Sequence, residues 1–260
     1  MSAEIARPRL SLVAPTYNER GRLAELVETI FRVFAAHDID GELVIVDDNS
    51  PDGTGALADE LATRYRMKVV HRSGKLGLGT AVIAGFEAAT GDICGVIDAD
   101  LSHPPDLVPR MLDEIERGAA DFVIGSRYIP GGGTRDWGAA RLLMSRAACL
   151  LSRPVTPVVD ATSGFFMIRR RIADGVKIEA GGFKICLELL VRGHATAILE
   201  VPYVFAGRTV GDSKMNLREA TGYLKQLLAL WRFRRAHPVG GGRPAGRQRV
   251  LRRLRVGRAL

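Results

Sequence analysis

"GDICGVIDADLSHPPD", residues 91–106, carries an apolar run from Ile93 to Ile97 that ends in two carboxylates, Asp98 and Asp100. An unbroken apolar run of this length reads as a strand covered on both faces, the pattern of a parallel sheet. Side chains at i and i+2 of an extended segment point the same way, so Asp98 and Asp100 can converge on one ion. A carboxylate ahead of a helix can instead act as a cap, so the pair by itself has two readings.

The same grammar recurs on either side. "LSLVAP" (10–15), "ELVIVDD" (42–48), "KVVH" (68–71) and "DFVIGS" (121–126) predict further strands, with "ICGVID" (93–98) between the last two. Helices are predicted over about 20–36, 53–65, 79–89 and 105–117; the first repeats Leu23, Leu26, Val27, Ile30, Phe31 and Phe34 at helical spacing. Strands alternating with helices predict a doubly wound α/β domain, its mainly parallel central sheet covered by helices on both faces. Ligands of such a sheet sit beyond the carboxyl ends of its strands. Three of those ends are polar: Pro15 to Glu19, Asp47 to Ser50, and Asp98 to Asp100. Together they predict one acidic crevice, whose hard oxygen ligands suit Mg²⁺ or Mn²⁺ shared with substrate phosphates.

After Ser126 the rhythm changes. A Gly-rich loop, "RYIPGGGTRDWG" (127–138), precedes a helix near 139–152; "DATSGFFMIRR" (160–170), a helix near 183–192 and a strand "ATAILEVPY" (195–203) follow. A polar loop, "FAGRTVGDSKMN" (205–216), leads to a last helix over about 217–235. Residues 237–260 are rich in Pro, Gly and Arg and read as a basic tail without fixed structure, in which 250–256 could form a helical turn on a surface.

Bulk composition narrows the partners. The formal net charge is +8, yet eleven of the 37 Lys and Arg residues lie at or beyond Ala220, where there is no acid. Residues 1–219 therefore hold 26 bases against 29 acids, so the body is mildly acidic and the basicity is a tail. Such a tail suits anionic lipid headgroups or nucleic acid. Cys94, Cys149 and Cys186 lie in apolar stretches without metal-type spacing, as core residues of a reducing compartment do. The N-terminal stretch lacks the apolar core of a signal peptide. No window reaches the roughly 18 apolar residues of a membrane span; the nearest, 139–151, carries Arg141 and Arg146. There is no GxGxxG after the first strand, no GxxxxGK[ST] and no nucleophile elbow, which argues against dinucleotide-redox, P-loop and hydrolase chemistry.

Six ordered stretches, "VAPTYNER", "VIVDDNSPDGT", "GLGTAVIAGF", "GDICGVIDADLSHPPD", "VIGSRY" and "TSGFFMIRR", resemble the family 2 glycosyltransferases of the GT-A fold. The spelling of "DDNSPDGT", "DADLSHPPD" and "GGFKICLELL" is most similar to the polyprenol (dolichyl) phosphate mannose synthases within that family. The resemblance spans roughly residues 9–235 and implies a catalytic domain over 1–236, with a donor half of about 9–126 and an acceptor half of about 127–236. It implies GDP-mannose as donor, a polyprenyl phosphate as acceptor, and Mg²⁺ or Mn²⁺. Pro15, Tyr17 and Glu19 then contact the nucleotide, as do Val46, Asp47, Asp48 and Asp52 at the second strand end, with Lys75 and Ala99 nearby. Asp98 and Asp100 match the metal-binding pair, with Ser102 as a weaker third ligand. That position is often a metal-binding glutamine in these synthases, and the shorter serine implies an intervening water or a looser metal. Arg127, Arg141 and Ser145 match positions that hold the lipid phosphate; Arg208 and Lys214 match a loop that closes on the donor diphosphate. Asp100, Arg127, Arg208 and Lys214 are the implied catalytic set. His103 reads as either a ligand or a residue leading into the next helix. Asp160 and Ser163 either touch substrate or only shape a turn.

A phosphate monoester has a second pKa of about 6, so such an acceptor is ionised at neutral pH and requires no general base. Direct attack inverts the anomeric centre and gives a β-linked mannosyl phosphate. Two alternatives stand beside this reading: a UDP-sugar:polyprenyl-phosphate glycosyltransferase, and an inactive scaffold. With no membrane span, the chain is expected at the cytoplasmic face of a membrane. The last helix and basic tail would touch the membrane surface, with room for a separate membrane-embedded partner, and nucleic acid is not an expected ligand.

Overall fold

The computed structural model describes residues 9–176, 184–206, 217–237 and 249–252. The first half alternates as β1 Leu10–Thr16, α1 Arg20–Ala36, β2 Gly41–Asp47, α2 Thr54–Ala62, β3 Met67–His71, α3 Leu78–Ala88 and β4 Ile93–Val96. A 3₁₀ turn at Pro105–Leu107 leads into α4 Val108–Glu116 and β5 Phe122–Ser126. The second half holds β6 Gly133–Thr134, α5 Ala139–Leu151, β7 Phe166–Arg169, α6 Ile185–Arg192, β8 Ala197–Pro202, β9 Val204–Phe205, α7 Leu217–Ala236 and β10 Arg249–Arg252.

Eight strands form one sheet in the order β10-β8-β5-β7-β4-β1-β2-β3. Both faces are buried, which explains the unbroken apolar strands. Leu43 and Ile45 of β2 face the core shared with α1, α2 and α4, while Val44 and Val46 face the one shared with α3, α6 and α7. Chain order reverses at β1, with β2 and β3 to one side and β4 to the other, so a crevice opens over the carboxyl ends of β1 and β4.

One strand runs against the rest. β7 lies between β4 and β5 and is antiparallel to both, pairing Val96 with Phe166 and Ile124 with Phe166. Running against β4 and β5, it enters the sheet at their carboxyl ends, the ligand side. That reversal sets Ser163 to Phe165 at the carboxyl ends of β4 and β5. β4 also stops two residues short of its expected end, because the Asp98 amide donates to His103 Nδ1 (3.0 Å) rather than to a neighbouring strand. Two further differences involve short strands. β6 and β9 pair in parallel as a separate ribbon, clasping the 127–138 loop against Phe205. Arg249–Arg252, within the stretch expected to lack fixed structure or form a helical turn, is a strand parallel to β8.

Glu42 anchors the opposite end of the sheet. It is buried and accepts hydrogen bonds from Ser11 Oγ (2.6 Å), the Thr90 amide (2.7 Å) and the Thr90 hydroxyl (2.8 Å). Burial alone would raise its pKa, but these bonds and nearby Lys68 outweigh it and hold the carboxyl below its ordinary 4.5. A depressed carboxylate pKa contributes stability above the unfolded value and loses it as pH falls through the folded one. Glu42→Gln is therefore expected to lose about 1–3 kcal/mol at pH 7. The gap to wild type should narrow in urea titrations repeated at progressively acid pH.

Candidate active site

The crevice is built from turns that follow β1, β2 and β4. In each turn one non-glycine residue takes the left-handed conformation: Asn18 (φ 61°), Asn49 (φ 58°) and Leu101 (φ 62°). Asn tolerates this region because its short side chain bonds locally, whereas Leu does not, and positions held this way cluster at functional sites.

The first two turns are locked together. Asp47 accepts from Thr16 Oγ1 (3.1 Å) and from the Ser50 amide (3.0 Å) and hydroxyl (2.5 Å). Asp48 pairs with Arg72 and accepts from the amides of Leu76 and Gly77 (3.1 and 3.2 Å). That anchor brings Lys75 over the Tyr17 ring, Nζ lying 4.0 Å from its centroid. Asp52 accepts the Arg20 amide at the start of α1 (3.2 Å) and the Thr54 amide at the start of α2 (3.0 Å). Burial would raise its pKa, but the hydrogen bonds from Thr54 and Arg20 together outweigh it and hold the carboxyl below its ordinary 3.8. Pro15 and Glu19 are half-buried on the same rim, and the Glu19 amide donates to Thr54 Oγ1 (3.0 Å). Val46 and Ala99 have their side chains in the core, so neither presents more than backbone to the crevice.

The β4 turn holds the carboxylate pair. Asp98 is partly exposed, while Asp100 is buried and accepts the Ser102 amide on Oδ1 (3.0 Å). His103 is almost wholly buried and touches Asp98 twice: Nδ1 accepts its amide, and Nε2 lies 3.6 Å from its Oδ2. A ring nitrogen that accepts carries no proton, so the proton resides on Nε2, towards the carboxylate. Burial keeps this imidazole below its ordinary pKa despite Asp98 and Asp100. His103 thus positions Asp98 and is neither a free ligand nor a simple helix lead-in. Gly164 backs the pair, since a Cβ there would lie 3.3 Å from Asp98 Oδ1 and 3.3 Å from the His103 ring.

Among the described residues no group of three or more His, Cys, Asp or Glu side chains is arranged to hold a metal. What does fit a hard divalent ion is the two carboxylates together with Ser102 Oγ, which is buried without a hydrogen-bond partner beside them.

On the other side of β7 lies a cationic, aromatic cluster. Arg127 follows β5 and forks onto Asp160: Nε to Oδ2 (2.8 Å) and Nη2 to Oδ1 (2.7 Å), with its amide also on Oδ2 (2.9 Å). Burial would lower the guanidinium pKa, but the Asp160 bonds raise it further above its ordinary value. Asp160 is itself fixed by Glu200 of β8, which accepts its amide (3.0 Å). Asp160 and Ser163 are therefore buried structural groups, Ser163 closing a turn with the Phe165 amide (3.1 Å). Arg141 on α5 stacks on Trp137, Cζ 4.1 Å from the ring centroid, with Arg127 Cζ 5.5 Å from the same ring. Ser145 is half-buried one turn further along α5. His103 joins this cluster to the carboxylates by stacking on Phe165 (5.0 Å) and meeting Tyr203 and Phe205 edge-on. Arg208 and Lys214 lie outside the described residues. The sequence reading missed the roles of His103, Gly164 and Trp137; for His103 the signal was its place five residues after Asp98, across a tight turn.

The chain belongs to glycosyl transferase family 2, whose description matches residues 11–176. Within that class its similarity is specific. The dolichol-phosphate mannosyltransferase of Pyrococcus furiosus is 39% identical over 229 residues, 86% of this chain and 64% of that protein. This chain thus spans just under two thirds of the archaeal relative. The polyprenol monophosphomannose synthase of Mycolicibacterium smegmatis is 40% identical over 227 residues, 82% of this chain and 84% of the relative. The fold is that of GT-A glycosyltransferases: the mannosyltransferase PcManGT of Pyrobaculum calidifontis, solved with GDP-Man and Mn²⁺, superposes with a TM-score of 0.58 at 21% identity. That match covers 93% of this chain and 67% of that one.

Removing Asp160 would leave Arg127 charged and buried without its partner. Asp160→Ala is expected to destabilise the protein by about 3–5 kcal/mol in urea unfolding, a far larger effect than a surface ion pair gives.

Proposed function

We propose that this protein transfers mannose from GDP-mannose to a polyprenyl phosphate of the dolichyl type, yielding a β-linked polyprenyl phosphate mannose as a lipid-linked donor. The observation that carries this reading is the adjacency of two subsites on one sheet edge. The Asp98–Asp100 pair and the Arg127–Trp137–Arg141 cluster are separated only by His103 and the aromatic wall of Phe165 and Phe205. One subsite suits a diphosphate with a cation; the other suits a phosphate monoester. The names of the relatives describe mannose transfer involving a dolichol or polyprenol phosphate, and the PcManGT neighbour was solved with GDP-Man.

The donor nucleotide lies over the β1 and β2 turns, where Tyr17 and Lys75 form one wall and Asp48 and Asp52 fix its shape. Asp98 and Asp100, with Ser102 beside them, would hold Mg²⁺ or Mn²⁺, which when bound neutralises charge on the departing diphosphate. Arg127 and Arg141 draw the acceptor anion towards the sugar, and the family resemblance assigns Arg208 and Lys214 to neutralising the leaving group. The acceptor oxygen is already ionised, so no residue is assigned as a general base. Attack from the face opposite the diphosphate inverts the anomeric carbon.

The acceptor's hydrocarbon chain requires a membrane, and no described helix is long and apolar enough to cross one. A peripheral site at the cytoplasmic face is supported by α5 and α7. Leu143 and Leu150 of α5 are 70% and 69% exposed, and Leu224 and Leu228 of α7 are exposed as well. The helices meet where Tyr223 Oη donates to the Ala148 carbonyl (2.7 Å). α5 contains no acid, and α7 contains none after Glu219 in its first turn.

With radiolabelled GDP-mannose, a polyprenyl phosphate and Mn²⁺, the protein is expected to form organic-extractable mannose, and Asp98→Asn and Asp100→Asn to reduce the rate at least a hundredfold, about 2.7 kcal/mol. Product from UDP-glucose and none from GDP-mannose would overturn the donor assignment. Replacing Leu143, Leu150, Leu224 and Leu228 together by Gln should abolish sedimentation with anionic vesicles while leaving the circular-dichroism spectrum unchanged.

A further inference from the structure

Trp137 lies in the cationic cluster with its indole Nε1 buried and without a hydrogen-bond partner. Its ring is an edge-on neighbour of Phe205 (5.2 Å, 69°), and two guanidinium groups converge on it: Arg141 at 4.1 Å and Arg127 at 5.5 Å. Both guanidinium carbons also lie 6.0 Å from the Phe205 ring. A buried N–H left unpaired costs about 1–3 kcal/mol, and such groups in folded proteins have a reason to persist. Two guanidinium groups facing one aromatic pair make a cationic pocket that attracts an anion, and Asp160 engages Nε and Nη2 of Arg127 from the protein side. An indole N–H is a donor only, so its partner must bring an acceptor oxygen.

We infer that Trp137 is a third binding residue for the acceptor's phosphate, its Nε1–H donating to a phosphate oxygen held between Arg127 and Arg141. This rests on the proposed acceptor and assigns a contact beyond the two arginines and Ser145. In it the indole has two tasks. Its face carries Arg141 by a cation–π contact, which aims that guanidinium, and its edge supplies a neutral donor between two charged ones. A phosphate monoester is thereby distinguished from the alcohol of the same chain length.

Trp137 and Trp231 are the only tryptophans, so the Trp231→Phe variant reports on Trp137 alone. Titrating that variant with farnesyl phosphate, in detergent-free buffer, should change its emission, whereas farnesol should not. Equal responses to both would show that the indole senses the isoprenoid chain, and would overturn the inference. In the transfer assay Trp137→Phe should raise KM for the isoprenyl phosphate about tenfold or more, the loss of one charge-assisted hydrogen bond, with KM for GDP-mannose within about twofold. Incorporating 3-benzothienylalanine at position 137 keeps the ring's shape without the N–H. It should match Trp137→Phe, and wild-type behaviour would overturn the inference. Absence of mannosyl transfer by the wild-type chain, with a farnesyl phosphate response intact, would count against the proposed donor and leave the phosphate contact standing.

Discussion

The buried contact between Arg127 and Asp160 is the constraint on which the second half of the molecule depends. Asp160 accepts the backbone amide of Arg127 as well as two of its guanidinium bonds, so the end of β5 and the 160s loop move as one body. Glu200 ties the same loop to β8 and takes the hydroxyl of Ser126. Burying such a pair gains little net stability, because desolvating two charges offsets their attraction. What it gives is geometry: a guanidinium and a set of aromatic rings fixed at the sheet edge, where a mobile arginine would otherwise lose entropy on meeting an anion.

The antiparallel strand β7 then couples the carboxylate turn to the guanidinium cluster. Because it descends between β4 and β5, its leading residues reach the ligand side directly beside Asp98. Gly164 fits against the Asp98 carboxylate because it has no side chain, and Phe165 stacks on His103. His103 in turn holds the Asp98 amide, so the Asp98–Asp100 turn and the aromatic wall share one packed column. In the proposed transfer, an anionic sugar diphosphate and an anionic phosphate monoester must be brought to opposite faces of one anomeric carbon despite like charge. A rigid partition with carboxylates on one side and guanidinium groups on the other is a physical answer to that requirement.

The sheet's two edges are finished differently. β3 is a half-exposed edge carrying Lys68 and His71, whereas β8 is covered by β10, a strand drawn from the basic C-terminal stretch. Covering an edge removes a row of unpaired backbone groups that would otherwise pair with another chain.

Local pattern determined much of this protein. The apolar runs and their alternation with helices defined the parallel sheet, the coverage of both faces and the edge on which ligands sit. Helix α1 was legible to the residue, because its apolar repeat and flanking turns agree. The convergence of the Tyr17, Asp48 and Asp98 turns followed from the same rule, since parallel strands deliver their carboxyl ends to one side. Tertiary structure alone decided three things. The direction of β7 depends on where the chain has been carried before it, which no local periodicity records. The engagement of Arg127 by Asp160 joins residues 33 apart through a loop with no repeating pattern. The Arg252 end of β10 pairs with Glu200 of β8 in a register set by an open sheet edge, so a stretch whose composition suggested no order gained a strand from its neighbour.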